Sequence, residues 1–201
     1  MLAECLGIPH ISTGDMLRDS IRQGQELGTE VEATMQSGAL VSDEVVNRMA
    51  EKRLSLPDAR NGFILDGYPR TLAQADHLSR WMDERGICEV VIHLAVDYNI
   101  IIARLTGRRQ CPRCGTLYNI ASHPPRVDSL CDLDGEKLVI RDDDSESVIR
   151  ERLDAYERQT RPVLEWYRNS GRRIVSVEAD NDPPDVVFRK ICQAMESHDC
   201  S

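Results

Sequence analysis

The chain has 201 residues and a formal net charge of −9. It is long enough for one domain with a sizeable core and small appended subdomains. The acidic balance argues against nucleic acid or an anionic membrane as the main partner. No apolar run is long enough to cross a bilayer, and the first residues lack the pattern of a signal peptide. Seven cysteines without an evident disulfide framework fit a reducing compartment, so we expect a cytoplasmic protein.

Short apolar segments alternate with helical patterns along the chain. In chain order, the pattern predicts a helix that ends at Gly7, a strand at 8–11, helices at 12–23, 29–36 and 42–55, a strand at 63–66, a helix at 71–85, a strand at 90–94, a helix at 98–106, a long helix at 146–170 interrupted near Pro162, a strand at 174–177 and a helix at 184–197. This alternation predicts an α/β fold, in which helices flank a parallel sheet.

Chemically active residues follow the predicted strands. Residues 12–15 come after the first strand, residues 66–70 after the second, and Asp97 after the third. Ligands of parallel α/β sheets bind beyond the carboxyl ends of the strands. The pattern therefore predicts one site at that edge of the sheet.

Residues 107–144 contain a metal-binding pattern. Cys111 and Cys114 are spaced as a CxxC pair, and after residues 115–130 comes Cys131-x2-Asp134. Two such pairs predict a closed, tetrahedral and therefore structural zinc site. Arginines flank it at positions 108, 109, 126 and 141, and arginine suits bidentate phosphate recognition. A metal-held flap bordered by guanidinium groups indicates a cover over a polyphosphate.

Five blocks in this order resemble adenylate kinases, and they extend along essentially the whole chain: STGDMLR at 12–18, GALVSDE at 38–44, GFILDGYPRTLAQAD at 62–76, TGRR at 106–109 and RDDDSESVIRERL at 141–153. The resemblance implies the reaction ATP + AMP = 2 ADP, for adenine nucleotide homeostasis, in a monomer that uses Mg²⁺ with ATP and a structural Zn²⁺. It also implies a core of residues 1–11, 42–107 and 146–201, an AMP-binding arm at 12–41 and a zinc-binding lid at 108–145.

The chain departs from the family pattern at its start. The family begins with a strand and a GxxxxGK loop whose backbone N–H groups cradle nucleotide phosphates. Here no glycine precedes Lys52, Lys137 or Lys190. We therefore expect that the first strand, the loop and half a helix are missing, that Met1 is an internal methionine of a longer reading frame, and that the chain as written has little kinase activity. A real shortened variant is the alternative.

The resemblance implies roles for individual residues on the AMP side. Arg70 would clamp the AMP phosphate, Gln74 would read the adenine edge, and Arg18 would pair with the phosphate. The full set of implied AMP contacts is Thr13, Arg18, Ala39, Leu40, Val41, Gly67, Tyr68, Pro69, Arg70, Gln74, Arg141 and Arg152.

Catalytic and ATP-binding roles follow from the same comparison. The implied catalytic residues are Arg104, Arg108, Arg141, Arg152 and Asp66, of which Asp66 would orient the water shell of Mg²⁺. The implied ATP contacts are Arg104, Arg108, Leu117, Tyr118 and Asp180. Preplaced guanidinium groups would stabilise the charge of the transferring phosphoryl group.

Two other interpretations of the sequence stay open. The first is a kinase for UMP or CMP, although Gln74 and the segment at 38–44 favour adenine. The second is a truncated protein that only binds AMP or zinc, because the phosphate loop is absent from residues 1–201.

Overall fold

The computed structural model describes residues 1–24, 28–180 and 182–196. Its elements confirm the predicted order with small changes of boundary and add two strands, at 108–110 and 117–119, that were not predicted; position 197, where we placed the end of the last helix, lies outside the described residues. Helices are α1 (Leu2–Leu6), α2 (Thr13–Arg22), α3 (Gly28–Gln36), α4 (Asp43–Leu54), α5 (Leu72–Asp83), α6 (Tyr98–Thr106), α7 (Glu146–Ala155), α8 (Arg161–Asn169) and α9 (Pro184–Glu196). Strands are β1 (His10–Ser12), β2 (Ile64–Asp66), β3 (Val90–Ala95), β4 (Arg108–Gln110), β5 (Leu117–Asn119) and β6 (Arg173–Glu178).

The predicted parallel pairing is confirmed. Strand β1 pairs with β2 so that Ile11 lies beside Leu65, and β3 pairs with β6 so that Ile92 lies beside Val175. Strands β4 and β5 form a separate antiparallel hairpin. The chain is therefore a mixed α/β protein whose parallel strands alternate with helices.

The two parallel pairs do not hydrogen-bond to each other in the described part of the chain. A cavity of about 1260 Å³ is lined by Ile64 and Leu65 of one pair and by Val91 and Ile92 of the other. That a further strand belongs beside these two pairs, as the family resemblance implies, stays a prediction.

The helix predicted at 146–170 is interrupted where its sequence contains a proline. Helix α7 passes into one π-helical turn, Tyr156–Thr160, and α8 then begins with Pro162 in its first turn. Proline has no N–H to donate and is tolerated in that turn. Among the described helices, none has the length and apolar character needed to cross a bilayer.

The apolar core lies on both sides of α5. Leu78, Trp81 and Met82 pack with residues of α4 and with Ile11 of β1. Ala75, on the same helix, packs against Val163 and Tyr167 of α8. This packing fixes the first turn of α5, which carries a predicted site residue.

Ala75 is fully buried, whereas Ala73 on the same helix is exposed. Ala75→Leu should lower the free energy of unfolding by about 1–3 kcal/mol, because extra methylene groups do not fit a closely packed contact. Urea unfolding followed by circular dichroism measures this. Ala73→Leu is the matched control, and equal unfolding midpoints for the two variants would contradict the packing described.

Candidate active site and metal centre

A cleft beside the carboxyl ends of β1 and β2 brings together most of the predicted AMP contacts. Thr13, the first residue of α2, donates its hydroxyl hydrogen to the carbonyl of Gly67 at 3.0 Å, and this contact joins α2 to the turn after β2. The residues that line the cleft and were predicted from the sequence are Thr13, Arg18, Ala39, Leu40, Val41, Gly67, Arg70, Gln74 and Arg152.

Gly67 allows the backbone of the turn after β2 to lie close to Arg70 and Thr13. Its φ is +74°, a conformation that favours glycine. A Cβ there would lie 2.8 Å from a guanidinium nitrogen of Arg70 and 3.3 Å from the hydroxyl of Thr13. Tyr68 and Pro69 are next to it in the chain, but the Tyr68 ring is buried and its hydroxyl donates to Asn47 at 2.7 Å. The Tyr68 side chain therefore points away from the cleft, and Tyr68 can contact a ligand there only through its main chain.

Arg70 lies in the cleft without an ion-pair partner in the described part of the chain. Its Nε donates to the carbonyl of Gly67 at 2.8 Å. Burial lowers the pKa of the Arg70 guanidinium, and the neighbouring Arg152 and Arg18 lower it further. A half-buried cation among like charges favours an anionic ligand.

Gln74, whose side chain is almost completely buried, is held by hydrogen bonds at both ends of its amide group. Its Nε2 donates to the carboxylate of Asp43 at 2.8 Å, and its Oε1 accepts from the backbone N–H of Arg70 at 2.8 Å. Thr71 begins α5 by accepting from the backbone N–H of Gln74 at 3.2 Å. The side chain therefore has one orientation in the wall of the cleft.

Two of the predicted catalytic arginines, Arg108 and Arg152, contact an acidic turn at residues 142–144. Arg108 makes a two-pronged contact with the carboxylate of Asp144, with its Nε at 2.8 Å from one oxygen. Arg152 donates to the carboxylate of Asp143 at 3.1 Å and lies 3.5 Å from that of Asp144. Asp144 thus joins a residue of β4 to a residue of α7.

Arg141 reaches the same region through Asp15. Arg18 donates to the Asp15 carboxylate at 2.6 Å, and Arg141 lies 3.9 Å from the same oxygen. Burial lowers the pKa of Arg141, as do the nearby Arg18 and Arg108. Burial raises the pKa of Asp15, but Arg18, the hydrogen bond from Ser12 and the charge of Arg141 together outweigh it, so the net shift is downward.

Sequence reasoning missed Asp143, Asp144, Asp15 and Asp43 as site residues. Each accepts hydrogen bonds from, or forms an ion pair with, a predicted ligand-binding side chain. The only signal in the sequence is their place next to or inside the matching blocks.

The remaining predicted residues lie outside this cleft. Asp66, at the end of β2, has a largely exposed carboxylate that accepts from His10 at 3.2 Å. Arg104 donates to the backbone carbonyls of Ala179 and Asp180, so these two predicted ATP contacts are adjacent. In β5, Leu117 is exposed, whereas the Tyr118 ring is buried and its hydroxyl accepts from the backbone N–H of Asp132 at 2.8 Å.

The four predicted metal ligands come together. The ligand atoms of Cys111, Cys114, Cys131 and Asp134 all lie within 4.8 Å of one another. The sulfur atoms of Cys114 and Cys131 are 3.5 Å apart, and that of Cys111 is 3.4 Å from both carboxylate oxygens of Asp134. A tetrahedral zinc ion with Zn–S bonds of about 2.3 Å requires sulfur atoms roughly 3.8 Å apart, so this donor set fits it.

A family model described as adenylate kinase matches residues 1–172. The adenylate kinase of Pseudothermotoga lettingae is 46% identical over 185 residues, which cover 90% of this chain and 83% of the relative. The chain belongs to the adenylate kinase family. The adenylate kinase of Moorella thermoacetica is 47% identical over 83% of this chain and 77% of the relative, and that of Caldanaerobacter subterraneus subsp. tengcongensis is 42% identical over 96% and 87%. As a member of this family the protein is a nucleoside monophosphate kinase, a phosphotransferase.

Asp144→Asn should lower the free energy of unfolding by about 1–3 kcal/mol, because two guanidinium groups lose a buried carboxylate partner. Thermal or urea unfolding measures the change. Asp142→Asn is the matched control, since Asp142 is exposed in the same turn and its replacement removes the same charge. A loss of stability that is equal in both variants would contradict a special role of Asp144.

Proposed function

We propose that the cleft between α2, the turn after β2 and α7 is the AMP site of this adenylate kinase, and that its arginines stabilise the phosphoryl group in the reaction ATP + AMP = 2 ADP. The single observation that supports this best is the half-buried guanidinium of Arg70. It lies beside Arg152 without an ion pair in the described residues, and burial together with Arg152 lowers its pKa. A phosphate would remove this repulsion by bringing negative charge into the cluster.

The roles proposed for the other residues follow from their places. Thr13, Gly67 and residues 39–41 shape the wall of the cleft, and Gln74 presents its amide to the base. Arg108, Arg141 and Arg152 would meet the charge that spreads over the equatorial phosphoryl oxygens in the transition state. Arg104 and Asp180, which touch each other, would lie against the ATP base. Contacts of Leu117 and Tyr118 with ATP stay a prediction.

A magnesium ion would neutralise part of the phosphate charge during the reaction. Asp66 suits it because Mg²⁺ keeps several waters and touches few carboxylates, and this carboxylate is open to solvent at the end of β2. The residue's proposed part is to accept hydrogen bonds from the waters of the ion.

Arg70→Ala should weaken AMP binding by about 1.5–3 kcal/mol, the scale of a hydrogen bond to a charged group. Titration calorimetry with AMP measures it. Arg80→Ala is the matched control, because Arg80 is an exposed arginine of α5 that pairs with Asp76 away from the cleft. Unchanged AMP affinity in the Arg70 variant would refute this pose. The same titration with UMP and CMP tests the alternative that the acceptor is a pyrimidine nucleotide.

We further propose that residues 108–145 form a lid that is held together by one zinc ion. The buried apolar residues of this segment form a cluster of only four, Cys111, Tyr118, Cys131 and Leu138. Such a small core contributes little stability, and two of its members are themselves proposed ligands. A structural metal would provide the missing free energy of folding.

Metal analysis of the purified protein should give about one zinc per chain, and a chelator should lower its melting temperature, since the segment has little other core. Cys111→Ala should lose the zinc. Cys88→Ala is the matched control, because Cys88 is an exposed cysteine outside the cluster. A melting temperature that is the same with and without chelator would contradict the structural role.

A further inference from the structure

The two ends of the Gln74 amide meet partners of opposite hydrogen-bonding character. On one side is the Asp43 carboxylate, which as an ionised group can only accept. On the other is the backbone N–H of Arg70, which can only donate. Rotating the amide by half a turn would place its oxygen against the carboxylate and its NH₂ against the N–H. The two partners together therefore exclude the rotated orientation.

The position of the Asp43 carboxylate is itself fixed. Asp43 is the first residue of α4, and Thr71 donates its hydroxyl hydrogen to the same oxygen that accepts from Gln74, at 2.9 Å. The hydroxyl of Thr71 in turn accepts from the backbone N–H of Gln74. Asp43, Thr71 and Gln74 thus form a closed set of hydrogen bonds between the start of α4 and the start of α5.

Among the described residues each amide atom of Gln74 makes one hydrogen bond, so one hydrogen on Nε2 and one lone pair on Oε1 stay free for a ligand. A base edge that offers an amino donor beside a ring-nitrogen acceptor matches this pair. A 6-aminopurine such as adenine has that edge. A 6-oxopurine such as hypoxanthine offers an acceptor and a ring N–H in the same two places. Its acceptor oxygen would therefore face the amide oxygen of Gln74, and its ring N–H would face the amide NH₂.

We propose that Asp43 is a positioning residue that fixes the amide orientation of Gln74 and thereby makes the cleft select a 6-aminopurine nucleotide over a 6-oxopurine nucleotide. This inference rests on the proposed AMP site. It assigns selectivity to a carboxylate that lies behind the side chain in contact with the base.

The test compares the dissociation constants of AMP and IMP, which have the same size and phosphate and differ at the base edge. Titration calorimetry on the whole chain measures both for the unchanged protein and for variants at position 43. Asp43→Asn keeps the shape and an acceptor oxygen but loses the charge. Asp43→Glu keeps the charge at the start of α4 but moves the acceptor by one methylene.

Asp43→Asn should keep the preference for AMP over IMP, and Asp43→Glu should reduce it by about five- to tenfold, the worth of one hydrogen bond. If Asp43 acted only through its charge at the start of α4, Asp43→Asn would reduce the preference for AMP and Asp43→Glu would keep it. Asp43→Ala should behave like Asp43→Glu. Glu44→Gln is the matched control, because Glu44 is the next acidic residue of the same turn, is largely exposed and pairs with Arg48.

The outcomes separate the two proposals. If the unchanged protein does not prefer AMP to IMP, the proposed AMP site fails. If it does prefer AMP, but Asp43→Glu and Asp43→Ala leave the preference unchanged, or Asp43→Asn abolishes it, only the role of Asp43 is overturned.

Discussion

The gathering of guanidinium groups around one cleft is the constraint on which the rest of the site depends. Burial and their neighbours' charges lower the pKa values of Arg70 and Arg141, so each group makes the charge of the others less favourable. Such an arrangement persists only where carboxylates offset part of the charge or where an anion binds. Asp144, Asp143 and Asp15 are the carboxylates that offset part of this charge. Arg70 has no ion pair among the described residues, and it is where the proposed anionic ligand would bind.

The carboxylates that stabilise the arginines also connect parts of the chain that are far apart in sequence. Asp144 joins β4 to α7 through Arg108 and Arg152, and Asp15 joins α2 to the segment before the acidic turn through Arg141. Gly38 packs so closely against α7 that a Cβ there would lie 2.9 Å from the carbonyl of Val148. The geometry of the arginine cluster therefore depends on how α2, residues 38–41 and α7 lie relative to one another.

Much of this molecule could be predicted from its sequence. Alternating apolar segments and helical patterns gave the order of the elements, the parallel pairing and the interruption near Pro162, because each rests on local periodicity or on the missing N–H of proline. Which acidic residues belong to the site could not be predicted. Three aspartates at 142–144 look alike in sequence, and only the turn they form decides that Asp144 is buried while Asp142 is exposed. The pairing of Asp43 with Gln74 links residues of two helices and follows no periodicity.

The ATP contacts assigned from the sequence to Leu117 and Tyr118 in β5 also depend on side-chain direction, which the sequence does not reveal. Successive residues of a strand point to opposite faces, so at most one of Leu117 and Tyr118 can contact a given ligand with its side chain, and the other would contact it through the main chain. Here Leu117 is exposed and Tyr118 is turned into the small core of the metal-binding segment. A motif match identifies which residue of the chain corresponds to a family contact. Whether its side chain makes that contact depends on the face of the strand to which it points.

In the proposed AMP site, phosphate recognition and base recognition would rest on different physics. A cluster of charged arginines would attract any phosphate and contribute affinity with little discrimination between bases. A single amide can discriminate only if its orientation is fixed, because its two ends differ solely in which one donates. The carboxylate of Asp43 and the N–H of Arg70 fix it through contacts of opposite character. Because Arg70 would contribute its guanidinium to the first task and contributes its backbone N–H to the second, the turn after β2 would set the distance between the phosphate and the base of a bound nucleotide.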